Sequence, residues 1–305
     1  MDFTLSVFKS LLTALQDSGN TFLTVTEFSR NKKQESFPEI ILRHDIDKKP
    51  KNSLITAQIE HSLGIIGTYY FRIIPGSYSE SIIKEIGSLG HEIGYHYEDL
   101  QLARQKTKGK RQRTSDRETA RLQDKEEELA AVAIESFREN LAKLRDIISV
   151  DTICMHGSPL SHSDSRVLWK YYDYSTIGII AEPYFDFSLE NMLYLTDTGR
   201  RWNGSSVSIR DRVCTRDDGY YAGWKRKPLP GSAMFMTEKS WTLQKQHRFR
   251  KTDNILQAIS SGNLPDRLMI TFHPQRWNDT ALPWLREYLW QNSKNAIKYF
   301  MVKSI

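Results

Sequence analysis

Ile40-Ile41-Leu42-Arg43-His44-Asp45-Ile46-Asp47 is an apolar run that breaks into charge with no turn residue in between. It reads as a buried strand whose C-terminal end is chemically loaded. Side chains two apart on a strand share a face, so Arg43, Asp45 and Asp47 point one way and His44 the other. A second polar strand end follows in Gly90-His91-Glu92-Ile93-Gly94-Tyr95-His96. Here His91 and His96 have opposite parity. His96, at the strand end, is the expected ligand, and His91 reads as a packed, hydrogen-bonded histidine.

Elements alternate outward from this stretch. Phe8, Leu11, Leu12 and Leu15 have helical spacing, which predicts a helix over 5–17, followed by a short strand and turn over 22–28. Strands are predicted over 40–47, 67–74, 91–96, 151–156, 193–196, 207–213 and 268–273. Helices are predicted over 51–63 and 80–89. A long one carries Phe137, Leu141, Leu144 and Ile148 on a buried stripe. The C-terminal helix is expected to start at Pro283, with Trp284, Leu285, Tyr288 and Leu289 as its apolar face. Alternation of this kind implies an α/β fold with a parallel sheet and external helices. Four strands end in polar clusters: Arg43–Asp47, His96–Asp99, His156-Gly157-Ser158 and His273-Pro274-Gln275-Arg276. Barrels of this class build their active sites at that end of the strands. One domain over 1–305 is expected, with a basic insertion near 101–123 and a capping region near 182–250.

Composition narrows the function classes. The chain has 305 residues, 39% hydrophobic and 26% charged, with a net charge of +6 from 43 basic and 37 acidic residues. These values describe a globular protein with an ample core. No stretch of about 18 apolar residues is present, so no membrane span is expected. The start, Met1-Asp2-Phe3-Thr4-Leu5, lacks the pattern of an export signal. Cys154 and Cys214 then read as reduced thiols in a cytoplasmic protein. Arg104 to Arg121 carries eight basic and two acidic residues. It reads as a solvated insertion or as a peripheral contact with the inner membrane. It lacks aromatics for base stacking, and no nucleic-acid partner is expected.

Paired carboxylates and histidines converging on one mouth suit metal-assisted hydrolysis. A divalent cation activates water and polarises a carbonyl, while a carboxylate base and a histidine acid move the protons. Ser158 lacks the surroundings of a nucleophile elbow, so a serine triad is not expected.

The order of these motifs resembles the NodB-like polysaccharide deacetylases (carbohydrate esterase family 4), over roughly residues 38 to 290. It is most similar to the divergent branch of O-antigen and surface-polysaccharide biosynthesis. The residues carrying the resemblance are Arg43–Asp47, Gly94–Asp99, Met155–Pro159, Leu195–Trp202 and Phe272–Gln275, together with Gly90-His91-Glu92-Ile93-Gly94-Tyr95-His96. The resemblance implies a distorted (β/α)7 barrel of the glycoside hydrolase/deacetylase type. It implies Asp45 as base, His273 as acid, and Asp47 and His96 as ligands of a divalent metal, with zinc expected. It implies removal of an N- or O-linked acetyl group from a sugar or glycan precursor. The chain departs from the family in two places. Ile46 separates the two aspartates, which allows their roles to be exchanged. Leu100 stands where the family has a second histidine ligand. His156 is the expected replacement, with Glu98 the next choice. Arg43, Arg200, Arg201 and Trp202 are the expected sugar or phosphate contacts. Two alternatives stay open: a metal-independent hydrolase of a non-peptide amide, and a catalytically inactive glycan-binding barrel.

Overall fold

A computed structural model describes residues 1–31, 38–108, 118–157, 164–202 and 218–303. Cys214, Ser158, Pro159, the strand expected over 207–213 and the middle of the basic insertion lie outside the described residues. Seven strands form one parallel sheet that curls into a half-barrel: β1 Thr21–Leu23, β2 Glu39–Ile46, β3 Thr68–Phe71, β4 Glu92–Tyr97, β5 Ile153–Met155, β6 Leu193–Thr196 and β7 Arg267–Phe272. Their order is β5-β4-β3-β2-β7-β6, with β1 paired to the start of β2. The helices are α1 Leu5–Asp17, α2 Val25–Arg30, α3 Pro50–Ser62, α4 Glu80–Ser88, α5 Asp99–Lys108, α6 Glu118–Arg145, α7 Leu168–Tyr171, α8 Pro183–Asp186, α9 Glu238–Gln246, α10 Thr252–Ser260 and α11 Ala281–Lys303. No helix among the described residues is long and apolar enough to cross a membrane.

β2 sits at the centre and is buried along its whole length. It pairs with β3 on one side and β7 on the other. On its outer face Ile40 and Leu42 join Leu268, Ile270 and Phe272 of β7. The Phe8, Leu11, Leu12 and Leu15 stripe of α1 and Ile255 of α10 pack on them. The opposite cluster joins Tyr70, Ile93 and Tyr97 to Phe137, Leu141 and Leu144 of α6. In the ladder Asp45 pairs with Tyr70, and Tyr70 with Gly94. A Cβ on Gly94 would lie 2.3 Å from the Tyr70 ring. Glycine is therefore required there, and the ring fills the space beneath His96, where any side chain at 94 would have pushed it away.

Two local expectations change. Residues 25–30 form α2 rather than a turn. Thr24 accepts from the Glu27 N–H and Glu27 accepts in return, a capping box that nucleates the helix. α11 starts at Ala281, two residues before Pro283, and it packs the other way round. Glu287, Gln291 and Asn295 are buried, whereas Leu285, Tyr288 and Leu289 are exposed. The surface this helix covers is polar: Asn295 donates to Gly199 O, and Lys48 pairs with Glu287 at 3.4 Å. Hydrophobic spacing identifies the apolar face of a helix, but it cannot say that the surface awaiting the helix is polar.

Candidate metal centre

The C-terminal ends of β2, β4, β5 and β7 bring Asp45, Asp47, His96, His156 and His273 to one place. His96 pairs with Cys154 across the β4–β5 ladder, and His156 follows two residues later. His96 Nε2 lies 3.8 Å from Asp45 Oδ2 and 3.7 Å from Asp47 Oδ1. His156 Nε2 lies 3.3 Å from the same Asp47 Oδ1. His273 Nε2 lies 4.0 Å from Asp47 Oδ2.

Each imidazole is oriented by its other nitrogen. A carbonyl only accepts, so His96 Nδ1–H donates to Cys154 O (2.9 Å). His156 Nδ1–H donates to Glu98 Oε2 (3.2 Å), and Arg72 holds Glu98 through two N–H bonds. His273 Nδ1–H donates to Asp197 Oδ1 (2.6 Å). In neutral His96 and His156 the Nε2 lone pairs are thus aimed at an anionic oxygen. Asp47 Oδ1 is itself buried with no hydrogen-bond partner. Lone pairs facing a carboxylate repel unless a positive charge lies between them. Without a metal that charge is a proton: burial opposes it, but Asp47 and Glu98 hold His156 up at about 9. Asp47 in turn is pressed well below the carboxylate range, because the two imidazoles outweigh its burial.

Zinc bonds of about 2.0–2.2 Å place tetrahedral ligand atoms about 3.3–3.6 Å apart, close to the spacings around Asp47 Oδ1. The two spacings at Asp47 Oδ1, 3.7 Å to His96 and 3.3 Å to His156, are thus compatible with an oxygen that shares a cation with each imidazole. Histidines pinned through Nδ1 are also the usual outer arrangement of such sites. A second, buried group shares His96. Among the described residues it is the group whose ligand atoms all lie close together: one atom each from Asp45, His96 and Cys154 lie within 4.8 Å of one another, so this group could hold a metal ion. It is the costlier choice, because Arg43 already donates to both Asp45 oxygens (2.8 and 2.6 Å). Burial also pushes the Cys154 thiol far up, against the thiolate a metal needs.

Asp45 is buried, which alone would raise its pKa, but Arg43 and then His96 bring it down to about 2. Arg43 is fully buried and engaged with Asp45, so it is a partner of the acid rather than a contact for sugar. Trp202 is likewise not at the mouth. Its ring is buried against Phe3, Phe272 and Trp277, and its indole donates to Thr252. Arg200 is buried beneath α11 with its guanidinium against Phe3, Trp284 and Tyr288. Arg201 is half-buried. Of the four expected substrate contacts, the three whose surroundings are defined serve packing or pairing.

The structure adds two residues to the site, Asp197 and Gln275, and gives Glu98 a supporting place. Asp197, one position past β6, binds His273, Arg276 and the Trp277 indole. Its strand-end position was a usable signal. Gln275 donates to Asp47 Oδ2 at 3.1 Å, and nothing in its spacing pointed to that. Glu98 orients His156 while Arg72 occupies it, so it supports a ligand. His91 and His44 lie apart from the site. His91 accepts from Gly67 N–H and donates to Ala57 O, and His44 pairs with Glu60 at 2.7 Å.

No protein-family model, curated protein or solved structure matches this chain.

Proposed function

We propose that this chain is a metal-dependent hydrolase that removes an N- or O-linked acetyl group from a sugar or glycan precursor, built on a distorted (β/α)7 barrel. One observation carries the hydrolase reading. Asp47 Oδ1 is buried and unpartnered between two imidazole nitrogens whose opposite sides are already tied down. The sugar class rests on the resemblance of the strand-end motifs to the NodB-like deacetylases.

Asp47, His96 and His156 would hold the cation, which supplies polarisation of the acyl carbonyl and acidification of a water. Gln275 donates to Asp47 Oδ2, so Oδ1 is the oxygen that would be available to the cation. Asp45, ionised down to about pH 2, accepts the proton of the attacking water. So weak a base suffices only for a strongly acidified water. His273, held by Asp197, donates a proton from Nε2 to the departing nitrogen or oxygen.

The test is metal uptake together with acetate release from acetylated sugars. Wild type should take up one zinc ion per chain, lose activity with chelator and regain it on readdition. Asp47→Asn should bind no metal and release no acetate. Full acetate release by metal-stripped wild type would sink the mechanism. A second reading puts the ion on Asp45, His96 and Cys154. Under it Cys154→Ser abolishes uptake, whereas under the first it leaves uptake intact.

A further inference from the structure

α11 is amphipathic but presents its apolar side outward. Leu282 is 77% exposed, Leu289 57% and Trp290 55%, with Leu285 and Tyr288 exposed beside them. Leu282, Leu285 and Leu289 recur at i, i+3 and i+7, so they form one stripe along the helix. Of the eleven large exposed hydrophobic residues among the described part of the chain, five lie within this one segment, and the other six are scattered singly. The inward side is accounted for by Glu287, Gln291 and Asn295 over the polar rim near Lys48 and Gly199.

The charges decide what fits the outer face. Of the charged side chains described on α11, Arg286 is exposed and Lys294 half-buried, and the single acid, Glu287, is buried. A second copy packed about a two-fold axis would set Arg286 and Lys294 against their own equivalents, with no exposed acid on the helix to pair them. An anionic bilayer meets both requirements at once. Leucines sink toward the acyl boundary, Trp290 and Tyr288 sit at headgroup depth, and lysines and arginines meet lipid phosphates. Lys294 lies over the Trp290 ring, 4.9 Å from its centre, which places a cation beside the aromatic belt.

We propose that α11 is an interfacial membrane anchor, lying flat on an anionic leaflet. On its inward side the helix stays tied to the barrel through Glu287 and Lys48. The surface assigned to the membrane here is the C-terminal helix. This inference does not depend on the proposed reaction.

The experiment is co-sedimentation with phosphatidylcholine vesicles, with and without phosphatidylglycerol. Wild type should bind the anionic vesicles and not the neutral ones, and salt should weaken the binding. The L285E/L289E variant should bind about tenfold less or weaker still, with an unchanged thermal melt showing that the fold survives. Metal-stripped Asp47→Asn protein should bind like wild type, so a failure of the hydrolase reading leaves this result readable. Three outcomes would overturn the proposal. One is wild type that stays in the supernatant with anionic vesicles. The second is equal binding by L285E/L289E. The third is a stable wild-type dimer in analytical ultracentrifugation that L285E/L289E dissolves and that binds no vesicles.

Discussion

Replacing Arg43 with methionine tests the electrostatic frame of the site. Arg43 has no exposed surface, and its guanidinium meets both Asp45 oxygens at 2.8 and 2.6 Å. Methionine roughly keeps the aliphatic volume but removes the charge. The drop of Asp45 from 3.8 to about 2 corresponds to ~2.4 kcal/mol in favour of the ionised form. Removing the guanidinium forfeits that preference and leaves a carboxylate in a buried site. Breaking a buried pair in this way typically costs about 3–5 kcal/mol. The sign with pH follows from linkage. In wild type the folded pKa is depressed, so its contribution is present above 3.8 and lost as pH falls toward about 2. In the variant the folded pKa rises above its unfolded value. Its penalty is therefore full at neutral pH and disappears as Asp45 takes a proton on the way down to the unfolded value. Urea unfolding of metal-free protein between pH 7 and pH 4 should show the widest gap at pH 7 and a narrowing gap below. A gap under about 1 kcal/mol at pH 7, or one that does not change with pH, would refute the reasoning.

Glu98→Gln should weaken zinc affinity by about 10–100-fold, measured by competition with a chromogenic chelator, because the weaker acceptor no longer holds His156 Nδ1–H. Unchanged affinity would remove Glu98 from the site. Asp197→Asn should lower kcat for acetate release by about 10²-fold or more with KM little moved, because His273 loses the carboxylate that orients it; a loss confined to KM would contradict that. Trp202→Ala should cost about 3–5 kcal/mol of stability, read from denaturant midpoints, as expected for a ring packed among Phe3, Phe272 and Trp277. A variant as stable as wild type would mean the ring lies outside the core.

Much of this architecture was legible in the chain. The two-residue period placed Arg43, Asp45 and Asp47 on one face and sent His44 to the other, and the ladders show that division. Apolar runs ending in charge marked strands β2, β4, β5 and β7, because a buried parallel strand can afford charge only where it leaves the sheet. Helix α1 was read to the residue from its Phe8, Leu11, Leu12 and Leu15 stripe. The capping box of α2 was equally legible in Thr24 and Glu27 but yields to a strand reading when only the apolar residues are followed.

What sequence spacing cannot supply is the partner across the fold. Asp47 and Gln275 are 228 residues apart, as are many pairs that only the closure of β7 against β2 brings together. Arg43, Arg200 and Trp202 looked like ligand contacts because such residues often bind sugars and phosphates. Their surroundings, a buried acid, an aromatic cage and a hydrophobic core, come from three different elements. The same holds for α11. Its amphipathic pattern was plain in the chain, but which side faces inward depends on the polarity of the surface it covers. By itself, then, the sequence determined the strands, their buried faces and the carboxylates and histidines at their ends, because local period and polarity act over a few residues. Only the tertiary structure decided which of those groups share an oxygen of Asp47, which residues hold them there, and which side of the last helix is left to the solvent.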